Sequence, residues 1–247
     1  MFEGKIALVT GGTSGIGKKI AEYLIKEGAF VFINFHKDED RMYEVKKEFK
    51  QFSSNFEFIK ADISNEEEVL KMMNKINEKK GHLEYLINNA GMNIDAFIEE
   101  TDMCLFKKVV DTNFTGKVIT TKYALPLLKK GEQSAIVNIA SRLGTMPCEE
   151  ASAYCGAASA IINFTKTASL EFAKYKIRVN CVSPSLTITP LALSGWTDEE
   201  IQEQTQNNPL GRLATTDDIA NAVIFLLSDK ASYINGQNIN VNGGSLM

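Results

Sequence analysis

The sequence predicts an α/β fold, a single-domain, doubly wound parallel sheet of seven strands with helices on both faces. Short apolar runs alternate along the chain with longer segments of helical periodicity. Runs such as residues 135–139 are apolar without alternation, which is typical of strands that are buried on both faces. A glycine-rich turn at residues 10–17 joins the first strand to the first helix. Together these three observations favour parallel strands that are joined by helical crossovers.

The elements follow from local pattern in chain order. The predicted strands are the apolar runs at residues 6–9, 30–35, 56–60, 83–88, 134–139, 177–182 and 238–241. The predicted helices lie at residues 15–27, 38–52, 66–79, 106–130, 152–174 and 217–227. The first helix illustrates the periodicity, because Ile20, Ala21, Leu24 and Ile25 fall on one face.

One long region, residues 183–208, lacks strong periodicity and holds Pro184 and Pro190. A short helix is expected to start near Asp198 within it. Because a loop of this length in a compact domain is usually functional, we expect a substrate loop or lid here. The whole chain, residues 1–247, is predicted to be one dinucleotide-binding and catalytic domain, for the reasons that follow.

Composition excludes several classes of function. The net charge of −4 gives no basic field for a nucleic acid. No apolar run is long enough to span a bilayer, and no secretory signal precedes the first strand. The 4 cysteines form no C-x-x-C pair, and the 2 histidines belong to no cluster with metal-ligand spacing. We therefore expect a reduced, cytoplasmic protein with no nucleic-acid, membrane or metal partner.

The glycine turn is the strongest functional signal. Glycines let the backbone come close to a pyrophosphate, and the following helix start offers free N–H groups and a favourable dipole. The candidate dinucleotide-binding residues of this turn are Gly11, Thr13, Ser14, Gly15, Ile16 and Gly17. Their spacing departs from the common G-x-G-x-x-G form, and a structural turn without a ligand is the alternative.

The end of the second strand bears on which nicotinamide cofactor would bind. The residues there are Asn34, Phe35, His36 and Lys37. NAD sites usually place an acid at this point against the ribose 2′-OH, and none is present. His36 and Lys37 would attract a 2′-phosphate, so the sequence favours NADP(H) over NAD(H). Alternatively the two residues only begin the next helix in solvent, and the nearby Asp38 and Asp40 weaken the preference.

Two further strand ends carry candidate cofactor-binding residues. Asp62 and Ile63 follow the third strand, where a carboxylate would accept a hydrogen bond from an adenine amine. An N-cap or turn residue is the alternative for Asp62. Asn89, Ala90 and Gly91 follow the fourth strand, where small residues let a ligand approach, although Asn89 and Gly91 would also suit a plain turn.

These segments together resemble the short-chain dehydrogenase/reductase family over essentially the whole chain. The resemblance also includes Asn113, Ser141, Tyr154, residues 178–184 and the ending at residues 242–244. Within the family the chain is most similar to 3-oxoacyl-(acyl-carrier-protein) reductases and acetoacetyl-CoA reductases. The resemblance implies a Rossmann-type fold and hydride transfer between a nicotinamide and a carbonyl or alcohol carbon.

The resemblance assigns roles to three polar residues. Tyr154 matches the family's proton donor, and Ser141 matches the second donor that holds the carbonyl oxygen. Asn113 matches the residue that holds a water in the family's proton relay. Taken one at a time, each residue also has a purely structural interpretation. Tyr154 would be an aromatic residue on a helix face, Ser141 a turn residue at a strand end, and Asn113 a polar residue of a helix. The joint spacing favours the catalytic assignment.

The chain departs from the family at Ala158. The family pattern is Tyr-x-x-x-Lys, with both side chains on one helix face, and here alanine stands at the lysine position. In the family that ammonium lowers the tyrosine pKa and binds the nicotinamide ribose, so turnover by this chain is expected to be severely impaired. Three explanations remain: a deliberate replacement that disables the enzyme, a natural non-catalytic relative, or rescue by another group. We favour the first, because Asn113, Ser141 and Tyr154 all remain.

The loop after the sixth strand is predicted to form the substrate-binding side of the site. Its candidate cofactor contacts are Pro184, Ser185, Thr187 and Thr189, although the threonines would also suit a plain surface. The expected partner is a small carbonyl or acyl-thioester substrate, either free or bound to a carrier protein, with Lys129, Lys130 and Arg142 as candidate basic contacts. The resemblance also implies a homotetramer that is assembled through the helices at 106–130 and 152–174 and the final strand. The alternative function is a dinucleotide-binding pseudoenzyme or partner subunit.

Overall fold

The computed structural model describes residues 1–194 and 196–245. Across this part of the chain, seven parallel strands form one sheet in the order β3-β2-β1-β4-β5-β6-β7. The strands are β1 (Ile6–Val9), β2 (Phe30–Phe35), β3 (Phe56–Lys60), β4 (Tyr85–Asn88), β5 (Ala135–Ile139), β6 (Arg178–Pro184) and β7 (Asn238–Val241). The predicted parallel, doubly wound sheet is therefore confirmed. β6 runs two residues beyond its predicted end, because Pro184 still pairs with Val241 of β7.

Helices lie between successive strands, with the bounds α1 (Gly15–Lys26), α2 (Glu39–Phe49), α3 (Glu66–Lys80), α4 (Met103–Val110), α5 (Gly116–Leu128), α6 (Ser152–Phe172), α7 (Asp198–Asn207) and α8 (Thr216–Leu227). α7 begins where a short helix was expected, and a capping box between Thr197 and Glu200 fixes its start. Gly195, in the same loop, lies outside the described residues.

The prediction of one continuous helix over residues 106–130 is wrong in two respects. The helix starts earlier, at Met103, because the Asp102 side chain accepts a hydrogen bond from the Cys104 N–H and caps it. It is also interrupted by a π-helical turn, Asp111–Thr115, before α5 begins. The Gly116 N–H accordingly bonds to the Asp111 carbonyl, five residues back. Such turns are rare and often mark functional sites, and Asn113 lies in the middle of this one.

The core has a layer on each face of the sheet. On one face, α1 and α8 pack together over strand residues such as Val9 and Ile33. On the other face, α3, α5 and α6 cover residues such as Leu8 and Ile136. The central strands β1, β4 and β5 are therefore buried on both sides, which explains their unbroken apolar runs.

The strand order places a crevice at one edge of the sheet. The chain winds outward from β1 to β3 and then returns to place β4 on the other side of β1. The connections after β1 and β4 therefore diverge, and ligands bind at such a point in doubly wound sheets. In the described part of the chain, no helix combines the length and the apolar character needed to cross a membrane. Nor does any group of three His, Cys, Asp or Glu residues gather there as a metal site.

Candidate active site

The glycine turn after β1 forms a close-fitting cradle. Gly11 and Gly15 have φ values of +61° and +51°, which favour glycine. A Cβ on Gly17 would lie 2.4 Å from both the Gly11 carbonyl oxygen and the Asn89 amide nitrogen, so only glycine fits there. Ser14 precedes α1 without a side-chain hydrogen bond to the helix, which leaves the first N–H groups available to an anion. This geometry fits the pyrophosphate of a dinucleotide.

The segment after β4 is hydrogen-bonded to the glycine turn. The Thr10 hydroxyl accepts hydrogen bonds from the N–H groups of Asn89 and Ala90, at 2.9 and 3.0 Å. The Asn89 amide in turn donates to the carbonyls of Thr10 and Gly11, at 2.9 and 3.1 Å. The two connections that border the crevice are therefore held as one unit, and Gly91 follows directly.

Three of the candidate cofactor residues near β2 and β3 are deeply buried. Asn34 donates a 2.9 Å hydrogen bond to the Ala61 carbonyl, and its side-chain oxygen accepts one from the Gly11 N–H. Phe35 and Ile63 are also buried, among the apolar residues of the core. The Asn34 amide therefore holds the glycine turn in place, whereas His36, the next residue after Phe35, is exposed.

The charged groups at the carboxyl ends of β2 and β3 form a small cluster. His36 Nε2 lies 3.5 Å from a carboxylate oxygen of Asp62. The other Asp62 oxygen accepts hydrogen bonds from the N–H and hydroxyl of Ser64. Partial burial works to raise the pKa of Asp62, but the Ser64 hydrogen bonds and the nearby His36 and Lys37 outweigh it, and the pKa is lowered. Asp62 is therefore ionised at neutral pH, and the Lys37 side chain beside it is exposed.

Ser141 and Tyr154 meet at the end of β5. Ser141 follows the strand, is buried, and accepts a 3.2 Å hydrogen bond from the Leu143 N–H. Tyr154 lies in the first turn of α6. Partial burial raises the pKa of the Tyr154 phenol, as do Cys155 and Asp95, and the Ser141 hydroxyl opposes part of this rise. The phenol is therefore protonated at neutral pH, the form that donates a proton.

Asn113 fastens the connection after β4 to the π-helical turn. Its side-chain oxygen accepts a 2.8 Å hydrogen bond from the Met92 N–H, and its amide nitrogen donates a 2.8 Å hydrogen bond to the Met92 carbonyl. Gly91 lies against the same side chain, because a Cβ there would be 3.3 Å from the Asn113 oxygen. The Asn113 side chain thus positions this connection, and its expected part in a water relay stays a prediction.

The position that lacks the family lysine is buried. Ala158 is 7% exposed, and a Cβ added to Gly144 would lie 2.8 Å from its carbonyl carbon. A lysine that the sequence analysis did not single out lies on α5: Lys117 is 4% exposed and donates a hydrogen bond to the Ile139 carbonyl. Burial lowers the pKa of Lys117 to about 8. Its spacing of four residues from Asn113, on the same side of the helix, was the available sequence signal.

A cavity of about 320 Å³ opens beside Arg142, the residue after Ser141, and α7 contributes to its wall. Its wall includes Arg142, Met146, Ser185, Asn207 and Ser245. The hydroxyls of Ser185 and Ser245 are buried and have no hydrogen-bond partner among the described residues. The cavity therefore offers polar groups and one cation to a bound molecule.

The other residues predicted after β6 lie over the glycine turn or within the loop. Pro184 ends β6. Thr187 is buried and donates a 2.9 Å hydrogen bond to the Ser185 carbonyl. The Thr189 side chain lies over Gly15, since a Cβ on that glycine would be 3.1 Å from the Thr189 methyl group. Of these residues, Thr189 comes closest to the predicted pyrophosphate cradle.

Of the three basic residues proposed as carrier-protein contacts, the two lysines lie apart from Arg142. Arg142 lines the cavity. Lys129 directly follows the last residue of α5, with its ammonium 3.8 Å from the centre of the Tyr175 ring. Lys130, the next residue, donates a hydrogen bond to the Asn77 side chain. Because α5 begins at the carboxyl edge of the sheet, its end lies at the opposite edge, and only Arg142 is at the site.

Comparisons with known proteins agree with this geometry. A family model described as enoyl-(acyl carrier protein) reductase matches residues 11–245. The 3-oxoacyl-(acyl-carrier-protein) reductase of Staphylococcus epidermidis is 35% identical over 245 residues, 98% of this chain and 99% of the relative. The 7alpha-hydroxysteroid dehydrogenase of Clostridium sardiniense is 34% identical over 98% of this chain and 94% of its own length. The solved structure of 3-ketoacyl-(acyl-carrier-protein) reductase from Brucella melitensis, complexed with NADH, has a TM-score of 0.92 and 31% identity and covers 100% of both chains.

Proposed function

The chain belongs to the short-chain dehydrogenase/reductase family, and on that premise we propose that it is an NADP(H)-dependent ketoreductase. Its substrate would be a 3-oxoacyl thioester or a similar ketone. The observation that carries the proposal is the approach of the Ser141 and Tyr154 hydroxyl groups to each other, next in sequence to Arg142 in the cavity wall. A proton donor, an oxygen-holding hydroxyl and room for a substrate are what carbonyl reduction requires of a protein.

The roles of the two hydroxyl groups follow from their chemistry. A nicotinamide, when bound, would supply the hydride that the carbonyl carbon accepts. Tyr154 donates its phenolic proton to the carbonyl oxygen, which becomes the hydroxyl of the product alcohol. Ser141 donates a hydrogen bond to the same oxygen and holds it as negative charge develops. The phenolate that remains on Tyr154 is then reprotonated from solvent.

The cavity supports an acyl thioester as substrate. Its wall combines apolar side chains such as Met146 and Leu213 with Asn207 and with the cationic Arg142. Such a wall suits an acyl group whose attached carrier brings polar and anionic groups to the cavity mouth. The relatives that are reductases of carrier-bound 3-oxoacyl groups point to the same class. Four free thiols, at Cys104, Cys148, Cys155 and Cys181, favour a reducing compartment such as the cytoplasm.

The preference for NADP(H) is supported at the end of β2. No carboxylate follows Phe35 directly; His36 and Lys37 stand there instead. The nearest following acid, Asp38, caps α2 through the Arg41 N–H and lies 3.4 Å from the Arg41 side chain. Lys37 is therefore the group best placed to attract a 2′-phosphate, because the Asp62 carboxylate lies beside the His36 ring.

Ala158 is expected to make turnover slow. Without an ammonium at position 158, a partly buried phenol with a raised pKa releases its proton less readily. A lysine at position 158 would also hold the cofactor ribose. Loss of both effects would cost on the order of 10³-fold in rate.

Ala158 also supports a second candidate function, in which the chain binds a dinucleotide without catalysis, as a pseudoenzyme or partner subunit. The glycine cradle is complete in either case, so cofactor binding alone does not separate the two candidates. Turnover by a variant with the lysine restored does separate them.

The decisive experiment compares the chain with its Ala158→Lys variant. NADPH oxidation would be followed with acetoacetyl-CoA and a panel of small ketones, and NADPH and NADH affinities would be measured by fluorescence. We expect NADPH to bind more tightly than NADH and the variant to turn over on the order of 10³-fold faster. Gly156→Lys, which adds a lysine at an exposed position of α6, is the matched control. It should change neither the cofactor affinities nor the turnover rate. Cofactor binding with no turnover by either chain would favour the pseudoenzyme.

A further inference from the structure

Arg142 is a partly buried arginine without a counter-charge. It lines the cavity of about 320 Å³, and it takes part in no salt bridge among the described residues. A guanidinium keeps its charge at every physiological pH, so it cannot escape the cost of partial burial by losing a proton. Cations that are taken out of water in proteins are normally paired. The cavity therefore contains a cation that is available to an anionic ligand.

The turn that carries Arg142 is fixed in place next to the reacting groups. Ser141 caps this turn, and the Met146 N–H donates a 3.0 Å hydrogen bond to the Arg142 carbonyl. The Gly144 carbonyl of the same turn accepts a 2.6 Å hydrogen bond from the Ser159 hydroxyl of α6. Consecutive Cα atoms are about 3.8 Å apart, so the cavity wall begins directly beside the residue that would hold the carbonyl oxygen.

Two serine hydroxyls in the same wall are left without partners. The hydroxyl oxygens of Ser185 and Ser245 are buried and form no hydrogen bond within the described part of the chain. Their backbones are held, because the Ser185 N–H donates to the Val241 carbonyl at 3.2 Å and the Ser245 N–H donates to the Asn242 carbonyl at 3.1 Å. Nearly all buried polar groups in folded proteins are paired. Two fixed, unpaired donors beside a cation indicate a ligand rich in acceptor oxygens.

The charge that the cavity presents is positive. No Asp or Glu stands among the described residues that line it. Burial raises the pKa of the Cys148 thiol, Arg142 opposes this rise and Asp95 adds to it, so one acid also acts on this region. The Asp95 side chain is exposed, however, and its carboxylate accepts a 2.7 Å hydrogen bond from the Asn93 amide. Water therefore screens the acid more than it screens the arginine.

We propose that this cavity binds an anionic oxygen group of the substrate, with Arg142 as the charge partner and the Ser185 and Ser245 hydroxyls as hydrogen-bond donors. The substrate is then a ketone that carries a carboxylate or a phosphate, and Arg142 determines specificity for it. An arginine fork suits either anion, because it can donate two parallel hydrogen bonds. This inference rests on the proposed ketoreductase function and deepens it.

Two pairs of ligands distinguish the two sources of the anion. Acetoacetate and its neutral ethyl ester test for a carboxylate on the ketone itself. Acetoacetyl-phosphopantetheine and acetoacetyl-pantetheine test for the phosphate of a carrier arm. Binding would be measured by calorimetry to the chain with NADP⁺ bound, because that complex cannot reduce a ketone and the slow turnover expected from Ala158 does not matter.

The decisive variant is Arg142→Met, which removes the charge and keeps much of the volume. In the parent chain we expect the anionic member of one pair to bind about tenfold or more tightly than its neutral partner. Arg142→Met should abolish that difference and leave the affinity of the neutral partner unchanged. Ser245→Ala should reduce the same difference severalfold. In the Ala158→Lys background, Arg142→Met should raise KM for the anionic ketone and leave kcat nearly unchanged.

Two controls accompany these measurements. Lys130→Met removes a lysine at the opposite edge of the sheet and should change none of the four affinities. Thermal unfolding would show whether each variant is folded, and Arg142→Gln replaces Arg142→Met if the latter is not.

The outcomes separate this inference from the proposed function. Equal affinities within both pairs in the parent chain would overturn the inference, as would an Arg142 variant that weakens both members of a pair equally. A preference for an anion that depends on Arg142, in a chain whose Ala158→Lys variant reduces none of the four ketones, would refute the proposed function and leave the anion site standing.

Discussion

At the scale of single residues, the amides around the crevice hold backbone segments together. Asn34 links the glycine turn to the connection after β3, Asn89 links that turn to the connection after β4, and Asn113 links the latter to α5. An amide has both a donor and an acceptor, so one side chain can satisfy two backbone groups at once. The site is therefore shaped before any ligand arrives, which favours catalysis by positioning.

Lys117 leads to a residue-scale prediction on stability. Its pKa of about 8 lies below its ordinary value of 10.5, so the unfolded chain binds the proton more tightly between these values. The contribution of Lys117 to the free energy of unfolding must therefore increase as the pH rises from about 8 to about 10.5. We expect Lys117→Met to be more stable than the parent chain at pH 7, by up to about 3 kcal/mol, with the gap closing as pH rises.

Urea unfolding at several pH values between 7 and 10 would measure that gap. Lys122→Met is the control. The Lys122 ammonium is exposed to water in the folded chain, so its removal should change the free energy of unfolding little at any pH. A gap that stays constant over the whole range would show that Lys117 does not titrate as its burial implies.

At the scale of elements, the start of α1 depends on glycine at one contact. Gly17→Ala would place a methyl group 2.4 Å from the Gly11 carbonyl and the Asn89 amide, and both belong to the hydrogen-bonded unit that borders the crevice. We expect this change to destabilise the fold by roughly 1–3 kcal/mol and to weaken NADPH binding at least tenfold. Thermal unfolding and fluorescence titration would measure the two effects.

A second glycine-to-alanine change serves as the control for this element. Gly156 lies within α6, and a Cβ there would meet no atom within 4 Å. Gly156→Ala should therefore raise stability by roughly 0.5–1 kcal/mol, since alanine restricts the unfolded chain, and should leave NADPH affinity unchanged. Equal losses in both variants would mean that the contact at Gly17 is not the cause.

At the scale of the whole molecule, we expect a homotetramer. α6 presents Leu170, which is 79% exposed, although a large apolar side chain normally gains from burial. The helices α5 and α6 and the edge strand β7 are the surfaces on which the family resemblance places subunit contacts. Light scattering should give about four times the 27.3 kDa mass of the chain.

Leu170→Lys tests that assembly, because a charge in a buried apolar contact would separate the subunits. We expect the variant to show a smaller mass than the parent chain. Leu210→Lys, at a leucine that is 68% exposed outside α5, α6 and β7, should not change the mass. A monomeric parent chain would contradict the expectation directly.

The local pattern of apolar and polar residues was sufficient to predict much of the fold. The positions of β1, β2, β3 and β7 agree with the prediction to the residue. Unbroken apolar runs report burial on both faces, which depends on neighbouring residues alone. The break between α4 and α5 was not foreseen, because a π-helical turn leaves the helical periodicity almost intact and depends on contacts such as those between Asn113 and Met92.

By itself, the sequence determined the order of strands and helices, the glycine turn and the absence of lysine at position 158. These features follow from residue identity and spacing. Only the tertiary structure decided that the Lys117 ammonium lies buried against the Ile139 carbonyl, and that the Asn34 and Asn113 amides hold backbone segments. The reason is physical: whether a polar side chain meets water, a backbone group or another charge depends on which elements pack over it, and the elements that surround Lys117 come from distant parts of the chain.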